Sequence, residues 1–143
     1  VCERSVLRLS GERAERKREH WQAVAVAAAE QSGRTRVPLI APVRTLSQAA
    51  ALAAADADTP NWLLSLAEAV PMARRMAQDL GGGVGRLRVY SGPEGGFSPA
   101  EETLVRGIGA RAISLGTRVL RSETAPLAVL AALGLTPPSD RAS

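Results

Sequence analysis

The residues best suited to chemistry form a short run of glycines around one acidic side chain, Gly92-Pro93-Glu94-Gly95-Gly96. Glycine has no Cβ, so its backbone adopts positive φ angles and lets a ligand approach closely. The next residues, Ser98-Pro99-Ala100-Glu101, have the spacing of a helix capping box with proline in the first turn. The amide groups of that helix start would point back at the glycines and suit a polar or anionic ligand.

From the residues alone, this glycine loop (residues 92–97) has two open interpretations. It is either a ligand loop or a tight strand–helix turn that binds nothing. Glu94 disfavours a bare phosphate, because a carboxylate beside the helix start would compete with it, and the lysine of a P-loop is missing. A phosphate- or nucleotide-binding domain is therefore the most distant alternative. A ligand that offers ammonium, ribose-hydroxyl or adenine donors fits better.

A second segment, residues 115–124, carries two arginines on either side of two apolar residues. Its sequence is Leu115-Gly116-Thr117-Arg118-Val119-Leu120-Arg121-Ser122-Glu123-Thr124. Taken alone, it is also compatible with an ordinary loop in which Arg121 and Glu123 pair at the surface, an interaction of little energetic value.

The elements that must position these loops follow from hydrophobic periodicity and from capping and turn residues. Helices are predicted over 11–32, 46–55, 71–80 and 99–107, and from Ser122 or Thr124 to about 133. Strands are predicted over 61–66, 87–90 and 112–115, with a short strand or extended segment over 36–41. This alternation favours an α/β fold with a mainly parallel sheet. Ligands of such sheets bind at the carboxyl ends of the strands, where both loops fall.

Composition excludes several classes of protein. The composition, with 45% hydrophobic and 22% charged residues, excludes a disordered chain. The presence of one cysteine, Cys2, excludes a disulfide scaffold. A lone cysteine fits a cytoplasmic location. The longest apolar runs, such as residues 49–55, are far shorter than the ~20 residues of a membrane helix, so no membrane partner is expected. Because aromatic residues are scarce, a nucleic-acid-binding protein that stacks bases on aromatic side chains is disfavoured. The net charge of +4 is nevertheless compatible with an RNA partner.

The motifs together resemble one family, the 16S ribosomal RNA uridine-N3 methyltransferases of the SPOUT class. Four elements occur in the family's order and extend over residues 2 to about 133. They are Glu3-Arg4-Ser5, then Trp21 with Ala28-Ala29-Glu30-Gln31-Ser32-Gly33-Arg34 and Val37-Pro38, then Gly92 to Ser98, then Leu115 to Ala125.

The resemblance implies a SPOUT-type α/β domain, a mainly parallel sheet flanked by helices, with a trefoil knot near its C-terminus. It implies that S-adenosylmethionine binds in the knot, that the active unit is a homodimer, and that the substrate is a uridine of 16S rRNA in the small ribosomal subunit. The cofactor-binding residues it implies are Leu66, Gly92, Pro93, Glu94, Gly95, Gly96, Leu115, Gly116, Val119, Leu120, Arg121 and Thr124.

Catalysis on N3 of uracil requires loss of a proton and stabilisation of the resulting anion. Arginine stays protonated and stabilises negative charge, so Arg34 and Arg121 are the first catalytic candidates. Arg118 is a third candidate for the same role. Arg34 has an alternative role, offsetting the dipole of the preceding helix. Glu94 and Glu123 are weak candidates for the base. No His/Cys cluster has metal-ligand spacing, so no metal is expected.

Residues 1–135 are expected to form the methyltransferase domain and residues 136–143 a flexible tail. Compared with the family, we expect the domain to be without its first strand and helix and without the N-terminal RNA-binding domain, and Thr117 stands where the family usually has proline. These departures leave an alternative function: a truncated, non-catalytic SPOUT module that binds cofactor or dimerises without methylating RNA.

Overall fold

A computed structural model describes residues 1–5, 9–80 and 85–135 of the chain. The chain divides into two compact units. The first comprises Val1 and Val6–Thr45, and the second comprises Cys2–Ser5 and Leu46–Ser143. The predicted tail, residues 136–143, lies outside the described residues. Among the described ranges, no helix combines the length and apolarity that a membrane crossing requires.

The first unit is built on one long helix, α1 (Gly11–Gln31), which confirms the helix predicted over 11–32. The helix ends in a Schellman motif. The amide of Gly33, at φ +65°, donates to Glu30 O, and the amide of Arg34 donates to Ala29 O. The segment predicted over 36–41 forms neither a helix nor a strand of the sheet. Instead, the Gln22 side chain donates to Pro38 O at 3.0 Å and accepts from Ile40 N at 2.8 Å.

The second unit alternates strands and helices, as predicted. Its elements are α2 (Leu46–Ala54), β1 (Asn61–Leu64), β2 (Val70–Pro71), α3 (Met72–Asp79), β3 (Arg88–Tyr90), α4 (Pro99–Gly107), β4 (Arg111–Ser114) and α5 (Thr124–Leu135). All strand pairs are parallel, in the order β2-β4-β1-β3. The α/β class with a parallel sheet is confirmed, and the trefoil knot stays a prediction.

Strand β2 is absent from the prediction, which began a helix at Pro71. Only Val70 and Pro71 pair with β4, opposite Ile113 and Ser114. Two residues are too few to show the alternation that identifies a strand. Because β2 lies at the edge of the sheet, it tolerates a proline that cannot donate a ladder hydrogen bond. The helix then begins one residue later, at Met72.

The central strand β1 is buried on both faces, as expected for a parallel sheet between two layers of helices. Successive side chains of a strand point to opposite faces. Trp62 packs with Met72, Ile113 and Val129, beside α3 and α5. On the other face, Leu63 belongs to a second cluster, the α4 core, which consists of Leu63, Phe97, Val105 and Ala110, with Cys2, Leu46 and Tyr90 partly buried against it.

Replacing Leu63 with alanine should lower the free energy of unfolding by about 2–5 kcal/mol, because the Leu63 side chain is fully buried and its loss leaves a cavity. Urea denaturation of the purified chain measures the change. The control is Leu52→Ala on the exposed side of α2, where 56% of the residue is accessible. Equal effects at the two positions would contradict the described core.

Candidate functional site

A cavity of about 440 Å³ opens at the carboxyl ends of three neighbouring strands. Its walls come from residues 64–67 after β1, the glycine loop after β3, and the segment 113–125 that follows β4. The first turn of α4 contributes Glu102. The volume lies within the ~300–1,000 Å³ of small-molecule sites. The cavity is therefore where an α/β fold of this kind is expected to hold a ligand.

Nine of the predicted cofactor residues line this cavity. They are Leu66, Gly92, Pro93, Glu94, Gly95, Gly96, Leu115, Val119 and Leu120. The structure thus brings together three segments that are separated in sequence by up to about fifty residues. Their contact with a cofactor stays a prediction.

Three other predicted residues, Gly116, Arg121 and Thr124, are not part of the cavity wall. Gly116 has φ +121° and turns the chain out of β4. The Arg121 side chain is 87% exposed and lies 4.0 Å from Glu123. The carbonyl of Arg121 accepts the amides of Thr124 and Ala125, both at 3.0 Å, so its backbone contributes to the start of α5.

The glycine loop is closely folded on itself at Gly92. A Cβ added to Gly92 would lie 3.0 Å from the backbone nitrogen of Phe97 and 3.1 Å from the carbonyl carbon of Gly96. Both atoms are backbone, so neither moves out of the way cheaply. Gly96 has φ +68°, and its amide closes a turn onto Pro93 O at 2.8 Å. These two glycines are needed by the backbone of the loop itself.

The helix α4 begins with the predicted capping box. Ser98 Oγ accepts the Glu101 amide at 3.3 Å, and Glu101 Oε2 accepts the Ser98 amide at 2.9 Å. Burial alone would raise the pKa of the Glu101 carboxyl. Hydrogen bonds from the Ser98 and Glu3 amides outweigh burial and lower that pKa. The ionised carboxylate is therefore the form that holds the end of the glycine loop.

Sequence reasoning found Glu94 and Arg118 but missed other polar side chains of the cavity, among them Ser65 and Glu102. Ser65 Oγ donates to Glu102 Oε1 at 3.0 Å. Arg106 lies one turn further along α4 and donates to Ala67 O at 2.8 Å, with its guanidinium 3.6 Å from Glu102 Oε2. A partial signal existed, since Glu102 is the second acidic residue of a first turn that was already predicted.

The charged residues that line the cavity are Glu94, Glu102 and Arg118. The guanidinium of Arg106 pairs with Glu102, so the site combines charges of both signs without a negative excess, beside the apolar side chains of Leu66, Val119 and Leu120. This arrangement suits a ligand that has both an apolar ring and charged groups. Arg34 belongs to the first unit of the chain, and its role in catalysis stays a prediction.

The chain is similar to known RNA methyltransferases over most of its length. The model of a family described as an RNA methyltransferase domain matches residues 1–134. The chain is 34% identical to the ribosomal RNA small subunit methyltransferase E of Bacillus subtilis, over 91% of this chain and 51% of that protein. It is 31% identical to the protein of the same name from Mycobacterium bovis, over 92% of this chain and 50% of that protein. The chain thus spans about half the length of these curated relatives.

Two solved structures that are similar to this chain contain S-adenosylmethionine. One is a methyltransferase of Legionella pneumophila, with a TM-score of 0.79 and 30% identity. The other is a ribosomal RNA small subunit methyltransferase E of Neisseria gonorrhoeae, with a TM-score of 0.75 and 34% identity. Each comparison covers 93% of this chain and 52% of the other.

Replacing Gly92 with alanine should lower the free energy of unfolding by about 1–3 kcal/mol, because the new Cβ would force the loop backbone apart. Hydrogen exchange at the Gly96 and Phe97 amides should accelerate in the same variant. The matched control is Gly107→Ala, where an added Cβ meets nothing within 4 Å and alanine should leave stability unchanged or raise it. A Gly92→Ala chain as stable as the control would show that the loop does not need glycine there.

Proposed function

We propose that this chain, which belongs to the RNA methyltransferase domain family, binds S-adenosylmethionine in its cavity and methylates N3 of a uridine in 16S ribosomal RNA. The observation that carries the proposal is the cavity of about 440 Å³ at the carboxyl ends of β1, β3 and β4, with the glycine loop as one wall. A small-subunit rRNA substrate also implies that the protein acts in the cytoplasm.

The residues of the cavity fit S-adenosylmethionine chemically. Leu66, Val119 and Leu120 offer apolar surface to an adenine ring. The glycine loop presents backbone groups that are not hidden by side chains, and these suit ribose and adenine hydrogen bonds. Glu94 provides negative charge for a sulfonium or ammonium group, since Glu102 is already paired with Arg106. When bound, S-adenosylmethionine supplies an electrophilic methyl group.

The protein must hold uracil N3 in line with that methyl group and favour the deprotonated base. Arg121 and Arg34 are proposed to stabilise the negative charge that develops on the uracil carbonyl oxygens. Glu94 is proposed as the proton acceptor in preference to Glu123, because Glu94 lines the cavity. The exposed position of Arg121 leaves its guanidinium accessible to an incoming RNA.

A homodimer formed through α5 is proposed as the active unit. Three leucines of α5 are largely exposed: Leu127 at 64%, Leu130 at 65% and Leu135 at 84%. The opposite side of the helix packs Val129 and Leu133 against Trp62 and its neighbours. A helix that is apolar all round is normally buried on all sides. We therefore propose that these three leucines pack against a second copy of the chain.

The experiment that tests the function has two steps. Calorimetric titration with S-adenosylmethionine should show binding at close to one molecule per chain, and Gly92→Ala should weaken it. The chain should then transfer labelled methyl from S-adenosylmethionine to unmodified small ribosomal subunits, and nucleoside mass spectrometry should detect 3-methyluridine in their 16S rRNA. Arg34→Ala and Arg121→Ala should each lower the rate about 10- to 1,000-fold, and in Arg34→Ala cofactor affinity should stay unchanged.

The outcomes separate the possible functions. Cofactor binding without methyl transfer would favour the non-catalytic module over the enzyme. Methylation at another base or another ring atom would keep the methyltransferase but overturn the uridine-N3 assignment. An Arg34→Ala variant with full activity would leave Arg34 with the alternative role at the end of α1.

A negative charge on the exposed side of α5 should break the proposed dimer. Leu130→Asp should convert the chain to a monomer in sedimentation velocity, because a carboxylate would be buried without a partner. Leu52→Asp is the matched control, at a leucine of similar exposure on α2. A wild-type chain that sediments as a monomer at tens of micromolar would contradict the dimer.

A further inference from the structure

The glycine loop is attached to a part of the chain that is distant in sequence. Arg4 Nη1 donates to the carbonyl oxygen of Gly95 at 2.7 Å, across 91 positions. Glu94 and Gly95 form the exposed tip of the loop, whose own backbone hydrogen bond joins Gly96 to Pro93. The Arg4 guanidinium therefore provides the tip with a charge-assisted hydrogen bond from outside the loop.

The aliphatic part of Arg4 also packs on the loop, and it does so at a glycine. A Cβ added to Gly95 would lie 3.3 Å from Arg4 Cδ and 3.5 Å from Arg4 Cβ. The distance to Cδ is shorter than ordinary van der Waals contact, so a side chain at Gly95 would require Arg4 to shift by a few tenths of an ångström. The lack of a side chain at Gly95 thus makes room for Arg4.

The segment that carries Arg4, Cys2–Ser5, is itself held in place. The Glu3 amide donates to Glu101 Oε1 at 2.6 Å, on the residue that caps α4. Cys2 is partly buried against the α4 core, and a turn joins the Ser5 amide to Cys2 O at 3.1 Å. Arg4 therefore projects from a segment anchored on both the hydrophobic core and the start of α4.

We propose that Arg4 is a positioning residue, which holds the glycine loop in its ligand-binding conformation through Gly95 without touching the ligand. The inference rests on the proposed function, since S-adenosylmethionine is the ligand whose affinity reports the loop conformation. A loop that is already ordered before binding loses less conformational freedom when the ligand arrives, and affinity rises accordingly. Because Arg4 is exposed, its effect should appear in ligand affinity far more than in stability.

A double-mutant cycle with Arg4→Ala and Gly95→Ala tests the inference by calorimetric titration with S-adenosylmethionine. Arg4→Ala should weaken binding roughly tenfold, the usual effect of losing a hydrogen bond from a charged donor. Gly95→Ala should weaken binding roughly threefold in the wild-type background, because the new methyl group displaces Arg4. In the Arg4→Ala background the same change should have no effect, which is the non-additivity expected of residues in contact.

Three controls make the result specific. Arg4→Lys, which keeps a cationic donor, should recover part of the lost affinity. Arg16→Ala, at an exposed arginine of α1, should leave affinity unchanged. Ligand-free melting temperatures of all variants should lie within about 3 °C of the wild type. Additive effects of the two substitutions, or a drop in melting temperature that parallels the loss of affinity, would overturn the positioning role.

The inference can fail separately from the proposed function. If the wild-type chain does not bind S-adenosylmethionine, the proposed function fails, and the Arg4 contact is then tested without ligand. Hydrogen exchange at the Gly96 amide, which donates to Pro93 O, should be faster in Arg4→Ala than in the wild type. Unchanged exchange would show that Arg4 does not hold the loop.

Discussion

The start of α4 is the point on which the candidate site depends, because two of the three segments that form the cavity are hydrogen-bonded to this helix. The first amide groups of a helix have no acceptor within the helix and need one from outside it. Acidic side chains at this end are stabilised by the positive end of the helix dipole. Ser98 and Glu101 satisfy this requirement reciprocally and thereby fix the end of the glycine loop. Glu102 and Arg106 hold the loop after β1 through Ser65 and Ala67. A shift of α4 would therefore displace two of the three walls of the cavity.

The parallel sheet explains why loops distant in sequence meet at one edge. Leu63 pairs with Tyr90 and Leu64 pairs with Ile113, so β1, β3 and β4 all end at about the same level. Each following loop begins at that level on the same side. The buried faces of β1 prevent slippage, because a shift of one residue would exchange Trp62 and Leu63 between two differently packed cores. The geometry of the cavity is thus a consequence of strand register.

Much of this arrangement was predictable from local sequence signals. The capping box at Ser98, the glycine at the end of α1 and the apolar strands gave the right elements to within a few residues, because each depends on neighbouring residues only. The two-residue strand β2 was missed because its pairing is a tertiary event. Ser65 and Glu102 were missed for the same reason: their side chains meet across 37 positions, and no local spacing shows it.

Under the proposed function, cofactor and RNA would depend on different groups of the protein. Glu94, Glu102 and Arg118 line the cavity, and the guanidinium of Arg106 lies 3.6 Å from Glu102, so charges of both signs lie beside the apolar side chains of the site. S-adenosylmethionine carries a sulfonium, an ammonium and a carboxylate group, so a site with charges of both signs offers a partner to each. A polyanionic RNA is instead favoured by the net charge of +4 and by arginines outside the cavity, such as the exposed Arg121. Because the groups that would bind the cofactor lie in the cavity and those that would bind RNA lie outside it, the two ligands would compete little for the same side chains.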